Sequence, residues 1–199
     1  MIKAVVFDFG GVLVDTYEYH YRTYAKKYKN LSTEKHKWLF EGNVLERRNQ
    51  LPVKNDNLNV SVEIQKYLMK QHVKKSIIKF LKVLEEKYLL FIITARKDNF
   101  LRNFLLKEKI LNLFTDVLGS DTQIHKDLKF DILLDKYLLK KEEVIFVTDT
   151  LGDILEAKKS GIKTIAVDFG FHERARLEKG KPFRIVSRFE DILGVIAEI

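Results

Sequence analysis

Apolar and polar positions along the chain follow two different periods. Ala4-Val5-Val6-Phe7 runs apolar into Asp8, Gly10 and Gly11 follow, and the chain turns apolar again at Val12. A Val-rich run of this length reads as a strand buried on both faces. The next stretch shows no strand alternation. Tyr17, Tyr21, Tyr24 and Tyr28 recur at helical spacing over 17–30, and their shared face reads as a packing surface rather than a substrate contact. Ser32 caps a second helix that carries Trp38, Leu39 and Phe40, the polar 50–59 stretch with Pro52 forms a loop, and 60–70 forms another helix. From Val73 onward, helix and strand alternate. Helices are predicted over 74–87, 99–111, 126–138, 151–160 and 189–198. Strands are predicted over 88–93, 116–119, 144–147, 163–167 and 183–186. Such alternation argues for an α/β fold: a doubly wound, Rossmann-like parallel sheet with helices on both faces. The expected organisation is a core of residues 1–14 and 73–199, with residues 15–72 forming a small helical cap.

Composition narrows the function classes. The chain has 199 residues, 46% of them hydrophobic, and no cysteine. A sizeable core is available, while disulfides, thiolate metal sites and a cysteine nucleophile are excluded. No apolar run reaches the length of about 20 residues that a spanning helix needs, so no membrane partner is expected. Met1-Ile2-Lys3 precedes only a strand-length apolar run broken by Asp8, which is not a signal-peptide pattern, and a cytoplasmic address is expected. Net charge is +8, but the lysines come in scattered pairs such as Lys26-Lys27 and Lys158-Lys159, with glutamates nearby. That distribution reads as a solvated surface, so nucleic acid is not the expected partner; a basic surface also favours small anionic substrates.

Polar residues close four of the predicted strands: Asp8, Thr94, Ser120 and Asp149. In a parallel sheet these ends share one edge, where open α/β folds place their chemistry. Each residue alone is an ordinary turn or cap residue; the set is informative because its members can converge. Gly10 and Gly11 let the backbone bend after Asp8 and approach a ligand closely.

Asp8-Phe9-Gly10-Gly11-Val12, Ile92-Ile93-Thr94-Ala95-Arg96, Lys126 in Ile124-His125-Lys126-Asp127, and Thr148-Asp149-Thr150-Leu151-Gly152-Asp153 occur in that order. Together they resemble the four motifs of the haloacid dehalogenase superfamily, whose members are mostly phosphatases, and the predicted cap lies where one subgroup carries a helical cap. The resemblance implies that Asp8 is a nucleophile forming an aspartyl-phosphate. It implies Mg²⁺ held by Asp8, the backbone carbonyl of Gly10 and Asp149. It further implies that Thr94 and backbone N–H groups, such as those of Ala95 and Gly11, bind phosphate. Lys126 neutralises the anions in this scheme, and Asp153 holds a metal-bound water or steadies Lys126. The expected substrate is a small phosphorylated metabolite.

Three positions depart from the family pattern. Thr148 replaces the usual glycine, and no proline follows Lys126. The third departure is Gly10, which stands where family phosphatases carry an aspartate that protonates the leaving oxygen, a function worth about 10²–10⁴-fold. A cap residue or water substitutes for it, with Asp15, Glu18, His20, Glu41 and His125 as candidates; or the substrate has a good leaving group; or the protein is a slow or inactive relative. Two other chemistries of the family stay open. A 2-haloacid dehalogenase generally lacks an acid equivalent to Asp149, and a phosphonate hydrolase needs a cap lysine. Glu46-Arg47-Arg48 places arginines in the cap, with a solvated helix face as the plainer reading.

Overall fold

A computed structural model describes residues 1–199. Six strands form one parallel sheet: β1 (Ala4–Phe7), β2 (Leu89–Ile93), β3 (Asp116–Leu118), β4 (Val144–Thr148), β5 (Lys163–Val167) and β6 (Arg184–Val186). Their spatial order is β3-β2-β1-β4-β5-β6. The predicted α/β doubly wound sheet is therefore what the chain forms. Strand order reverses beside β1, which is where open α/β folds leave a crevice at the carboxyl ends of the strands.

The apolar strand runs are explained by coverage on both faces. Val5 and Phe7 of β1 join one core cluster with Ile92, Val147, Leu81 and Phe104. Ala4 and Val6 point the other way, into a cluster with Phe91, Phe146, Phe130 and Leu133. Helices α5 (Lys75–Glu85), α6 (Asp98–Lys107) and α10 (Asp191–Ala197) cover the first face, and α7 (Lys126–Tyr137) and α8 (Leu151–Lys159) cover the second. One short helix, α9 (Arg174–Leu177), lies in a stretch the sequence pattern leaves as a loop.

Between β1 and α5 the chain is helical: α1 (Tyr17–Lys27), α2 (Thr33–Leu39), α3 (Val44–Arg47) and α4 (Val60–Leu68). Ser32 caps α2 by accepting from the Lys35 amide at 3.1 Å. Tyr24 and Tyr28 are buried, and Tyr17 packs edge-on to Phe171 at 5.3 Å, so the tyrosine face is a packing face.

Hydrogen bonds and ion pairs tie this insert to the sheet edge. The Gly152 amide donates to the Phe40 carbonyl at 2.8 Å, and a Cβ at Gly152 would overlap the backbone of Gly42. His172 accepts from the Leu151 amide at 2.9 Å through Nδ1, which leaves its Nε2 to donate to the Lys37 carbonyl at 3.0 Å. Arg176 adds ion pairs to Glu34 at 2.6 Å and Glu41 at 3.0 Å.

Edge strand β3 is pinned through Asp116. Its carboxylate accepts from Arg102 at 2.6 Å, the Val117 amide at 2.8 Å, Lys136 at 2.8 Å and the Tyr137 hydroxyl at 2.9 Å. Burial alone would raise its pKa, but these donors outweigh burial and bring it down to about 2. A depressed carboxyl pKa stabilises the fold above the unfolded-state value and loses that stabilisation as pH falls through the folded-state value. Asp116→Asn is expected to cost about 1–3 kcal/mol at neutral pH. In urea unfolding, the gap to wild type should be full above roughly pH 4 and close as pH approaches about 2. A gap that stays constant across that range would contradict this assignment.

Candidate active site

Asp8 follows β1 and donates its amide to the Val147 carbonyl at 2.9 Å, which fixes it beside the end of β4. Its carboxylate Oδ1 accepts from Lys126 Nζ at 2.6 Å. The same Nζ donates to Asp153 Oδ2 at 2.6 Å. Lys126 opens α7, and its backbone N–H donates to Glu156 Oε2 at 2.7 Å, so both ends of the residue are held by carboxylates of α8. Burial disfavours the lysine charge, yet Asp153 and Asp8 outweigh it and hold Lys126 protonated well beyond the ordinary lysine range. Burial pushes the Asp8 carboxyl upward, and Lys126 opposes that push.

Thr148, the departure in the fourth motif, has a structural task. Its hydroxyl donates to Asp153 Oδ2 at 2.7 Å. Thr150 caps α8 by accepting from the Asp153 amide at 3.3 Å. Asp153 therefore sits in the first turn of α8, where the helix dipole favours its charge.

Thr94 follows β2 and is buried. Its amide is engaged by the Leu118 carbonyl at 3.1 Å, and its carbonyl accepts from Lys129 Nζ at 2.6 Å. Its hydroxyl accepts from the Arg96 amide at 3.3 Å. A Cβ at Gly119 would overlap the Arg96 carbonyl, so only glycine allows the loop after Thr94 to lie this close to the end of β3.

Asp8, Gly10, Thr94, Ala95, Lys126 and Asp153 line one cavity of about 100 Å³. Two predicted residues are set apart from it. Gly11 adopts a positive φ of 85° and donates its amide to the Val14 carbonyl at 2.8 Å, so that N–H is already used. Its lack of a side chain serves Asp149 instead, because a Cβ there would overlap the Asp149 carboxylate. Asp149 is fully buried; Oδ2 accepts from the Phe171 amide at 2.7 Å, whereas Oδ1 is buried with no hydrogen-bond partner.

That orphaned oxygen tests whether the residues fit a cation. Burial and the charge of Asp8 raise the Asp149 carboxyl well above its ordinary range. Two carboxylates that repel each other, one with a buried bare oxygen, form an oxygen-only donor set of the kind a hard divalent ion takes. No three acidic or histidine side chains cluster as a metal site; the implied set takes only two side chains, its third donor being the Gly10 carbonyl. The residues present fit Mg²⁺.

Of the five candidates for the missing proton carrier, His20 alone lines the cavity. Glu18 pairs with Arg22, Glu41 with Arg176, and His125 with Glu46; Asp15 is exposed. His20 Nδ1 lies 2.9 Å from His36 Nε2. Burial, reinforced by Arg96, His36 and Arg48, lowers the His20 pKa well below its ordinary value, so the ring is neutral.

The sequence profile of the haloacid dehalogenase-like hydrolases matches residues 5–167. The chain belongs to this family. Haloacid dehalogenase-like relatives with curated names include the phosphoglycolate phosphatase of Aliivibrio fischeri, 25% identical over 57% of this chain and 51% of its own length. The phosphoglycolate phosphatase of Photorhabdus laumondii is 29% identical over 53% of this chain and 46% of its own. The chain thus spans about half the length of the curated relatives it matches. Solved structures share the fold across the whole chain. A haloacid dehalogenase-like hydrolase from Streptococcus pneumoniae superimposes with a TM-score of 0.78 at 22% identity, covering 98% of both chains. CbbY from Rhodobacter sphaeroides, solved in complex with phosphate, gives 0.77 at 15% identity over 96% of both.

Lys129 and Glu156 escape a motif-based reading. Each lies three residues beyond a motif residue on a helix, Lys126 or Asp153, and so shares its face. Lys129 is fully buried, and burial together with the charge of Lys126 lowers its pKa to about 8. It therefore adds positive charge behind Thr94 at neutral pH and loses that charge in mild alkali. Inorganic phosphate binding, measured by calorimetry, should weaken as pH rises through 8 and beyond in wild type. In Lys129→Met, binding should be weaker at pH 7 and flat over the same range. Equal alkaline weakening in both proteins would remove Lys129 from the site.

Proposed function

We propose that this protein is a Mg²⁺-dependent phosphatase that hydrolyses a small phosphate monoester through an aspartyl-phosphate on Asp8. The observation that carries the reading is the bridge of Lys126 Nζ, 2.6 Å from both Asp8 and Asp153, in the cavity that also presents Thr94. Residues 15–72 act in this scheme as the cap that selects the leaving group.

The chemistry follows from the charges. Lys126 engages Oδ1 of Asp8, which leaves Oδ2 to attack phosphorus in line with the ester oxygen. The Oδ2–P bond forms as the ester P–O bond breaks. Water then attacks the same phosphorus, and the Asp8–phosphate bond breaks to release inorganic phosphate. Lys126, the Thr94 hydroxyl and the Ala95 amide meet the negative charge on the phosphoryl oxygens, in a site where burial strengthens each interaction. Asp153 and Thr148 keep Lys126 in position. Asp8, Asp149 and the Gly10 carbonyl would hold Mg²⁺, which would supply positive charge to offset the repulsion of the Asp8 carboxylate and the phosphate.

Gly10 offers no proton carrier, and the neutral His20 donates a hydrogen bond more readily than a proton. Protonation of the leaving oxygen then falls to water. The enzyme is slow on poor leaving groups and prefers esters whose leaving oxygen is only weakly basic. The match to phosphoglycolate phosphatases supports the phosphate-ester substrate class. Asp149 disfavours a 2-haloacid dehalogenase, whose aspartate nucleophile needs no metal.

Phosphate and halide release from a panel of phosphate esters, 2-haloacids and phosphonoacetaldehyde tests the reading. Expected is phosphate release that requires Mg²⁺ and disappears in Asp8→Asn and Asp149→Ala. Thermal unfolding should show Mg²⁺ stabilising wild type but not Asp149→Ala. Metal-independent halide release would overturn the reading.

Gly10→Asp tests the missing acid. A Cβ at Gly10 meets only the Thr16 hydroxyl oxygen at 3.1 Å, so the side chain fits with a small adjustment. Turnover of alkyl phosphates should rise by roughly 10²-fold, within the usual range for a general acid, while aryl phosphates gain far less. An equal change on both ester types would contradict the account of Gly10.

A further inference from the structure

The ring of His20 is held from behind by a second histidine. His20 lines the cavity of Asp8, Gly10, Thr94 and Lys126, and its Nδ1 lies 2.9 Å from Nε2 of His36. His36 is fully buried, and its other ring nitrogen, Nδ1, has no hydrogen-bond partner. Aromatic rings enclose the pair. Tyr24 stacks on His20 at 4.3 Å, and Tyr21 and Phe40 meet His36 edge to face at 5.4 Å. Burial holds both rings neutral, lowering His36 to about 3.

Two neutral imidazoles at this distance need one donor and one acceptor, which leaves two assignments. If His20 donated from Nδ1, His36 would carry its own proton on Nδ1, as a bare N–H buried among rings. Both histidines would then be in the Nδ1–H form, the less stable tautomer of a free histidine side chain. If His36 donates from Nε2, both rings take the favoured Nε2–H form and the atom left without a partner is only a lone pair. Buried bare N–H groups are rarer than under-satisfied acceptors, so the network assigns the second arrangement. It puts the His20 proton on Nε2. That atom has no protein partner and is not sealed from solvent, so in this buried residue it opens on the cavity.

Neither ring is free to turn away. His20 lies in the first turn of α1, where its amide donates to the Thr16 carbonyl at 2.9 Å. His36 lies on α2, and the carbonyl of the next residue, Lys37, accepts from His172 at 3.0 Å. The tie between insert and sheet edge thus sets where His36 meets His20.

We propose that His36 is a positioning residue that fixes His20 as a neutral Nε2–H donor aimed into the cavity, where it meets the leaving oxygen of the ester. This deepens the phosphatase reading and rests on it for the identity of the acceptor. As the ester P–O bond breaks, its electron pair stays on the leaving oxygen, and the hydrogen bond from His20 strengthens with the growing charge. The His20 proton stays on Nε2, and water supplies the proton that completes the alcohol. The benefit is greatest for esters whose leaving oxygen is most basic, because they gather the most charge.

¹⁵N NMR of the histidines reads the tautomer in the resting protein, and paired esters read its use. At neutral pH, wild-type His20 should carry its proton on Nε2, with Nδ1 a hydrogen-bonded acceptor. In His36→Phe the Nδ1 signal should move toward that of an unbonded acceptor nitrogen. His36→Gln, whose amide nitrogen can stand where Nε2 does, should restore it, and His36→Asn should not. With Mg²⁺, His20→Phe should slow ethyl phosphate roughly 10²-fold, the loss expected for one such donor, and 4-nitrophenyl phosphate far less. His36→Phe and His36→Asn should show the same split at smaller size, and His36→Gln should recover. A proton on Nδ1 of wild-type His20 would overturn the proposal without recourse to a variant. Equal slowing of both esters in folded His20→Phe would overturn it too, as would His36→Asn matching His36→Gln. The expected tautomer with no phosphate release from either ester would refute the phosphatase and leave the histidine pair standing.

Discussion

The site depends on one buried cation. Lys126 Nζ sits 2.6 Å from Asp8 and 2.6 Å from Asp153, beneath a surface that excludes most water. Neither carboxylate tolerates burial alone, and a lysine so enclosed would lose its proton without them. Each member keeps the others charged. Breaking such a group by removing one partner is costly because it strands the rest, which ties the local fold to the local charge. The surrounding elements serve this group. β1 delivers Asp8 and α7 begins at Lys126. Thr148 and Thr150 hold Asp153 at the start of α8, and Glu156 holds the Lys126 amide.

Asp149 lies outside that balance. Its carboxylate occupies a recess that exists because Gly11 and Gly170 have no side chains to fill it. One oxygen is satisfied by the Phe171 amide and the other is not. A buried carboxylate oxygen without a donor costs stability, and the fold keeps it next to Asp8. A divalent ion would remove that cost, so the feature that strains the bare protein is the one that would favour a bound cation.

Much of this was legible in the sequence because the signals are local. A Val-rich run ending in Asp8, an apolar run ending in Thr94 and a third ending in Thr148-Asp149 define strand ends, and parallel strands bring their ends to one edge. The helices over 17–27 and 60–68 follow from tyrosine and aliphatic periodicity. What stayed hidden depends on pairing across the chain. Gly11 reads as a phosphate-binding amide until Val14 is seen to accept from it. Thr148 reads as a departure from a motif until its hydroxyl is seen on Asp153. Arg48 reads as part of a solvated charge run until it is seen to line the cavity of Asp8 and Lys126. Lys129 carries no motif at all, and its placement behind Thr94 follows only from the packing of α7.

The central claim is that Asp8 becomes phosphorylated, and trapping that residue tests it most directly. The protein is mixed with Mg²⁺ and a ³²P-labelled ester, quenched in acid during turnover, reduced with borohydride and analysed by peptide mass spectrometry. The account predicts acid-stable, alkali-labile label on the protein and conversion of Asp8 to homoserine in the reduced sample. Steady phosphate release with no label on the protein, or label on any other residue, would contradict it.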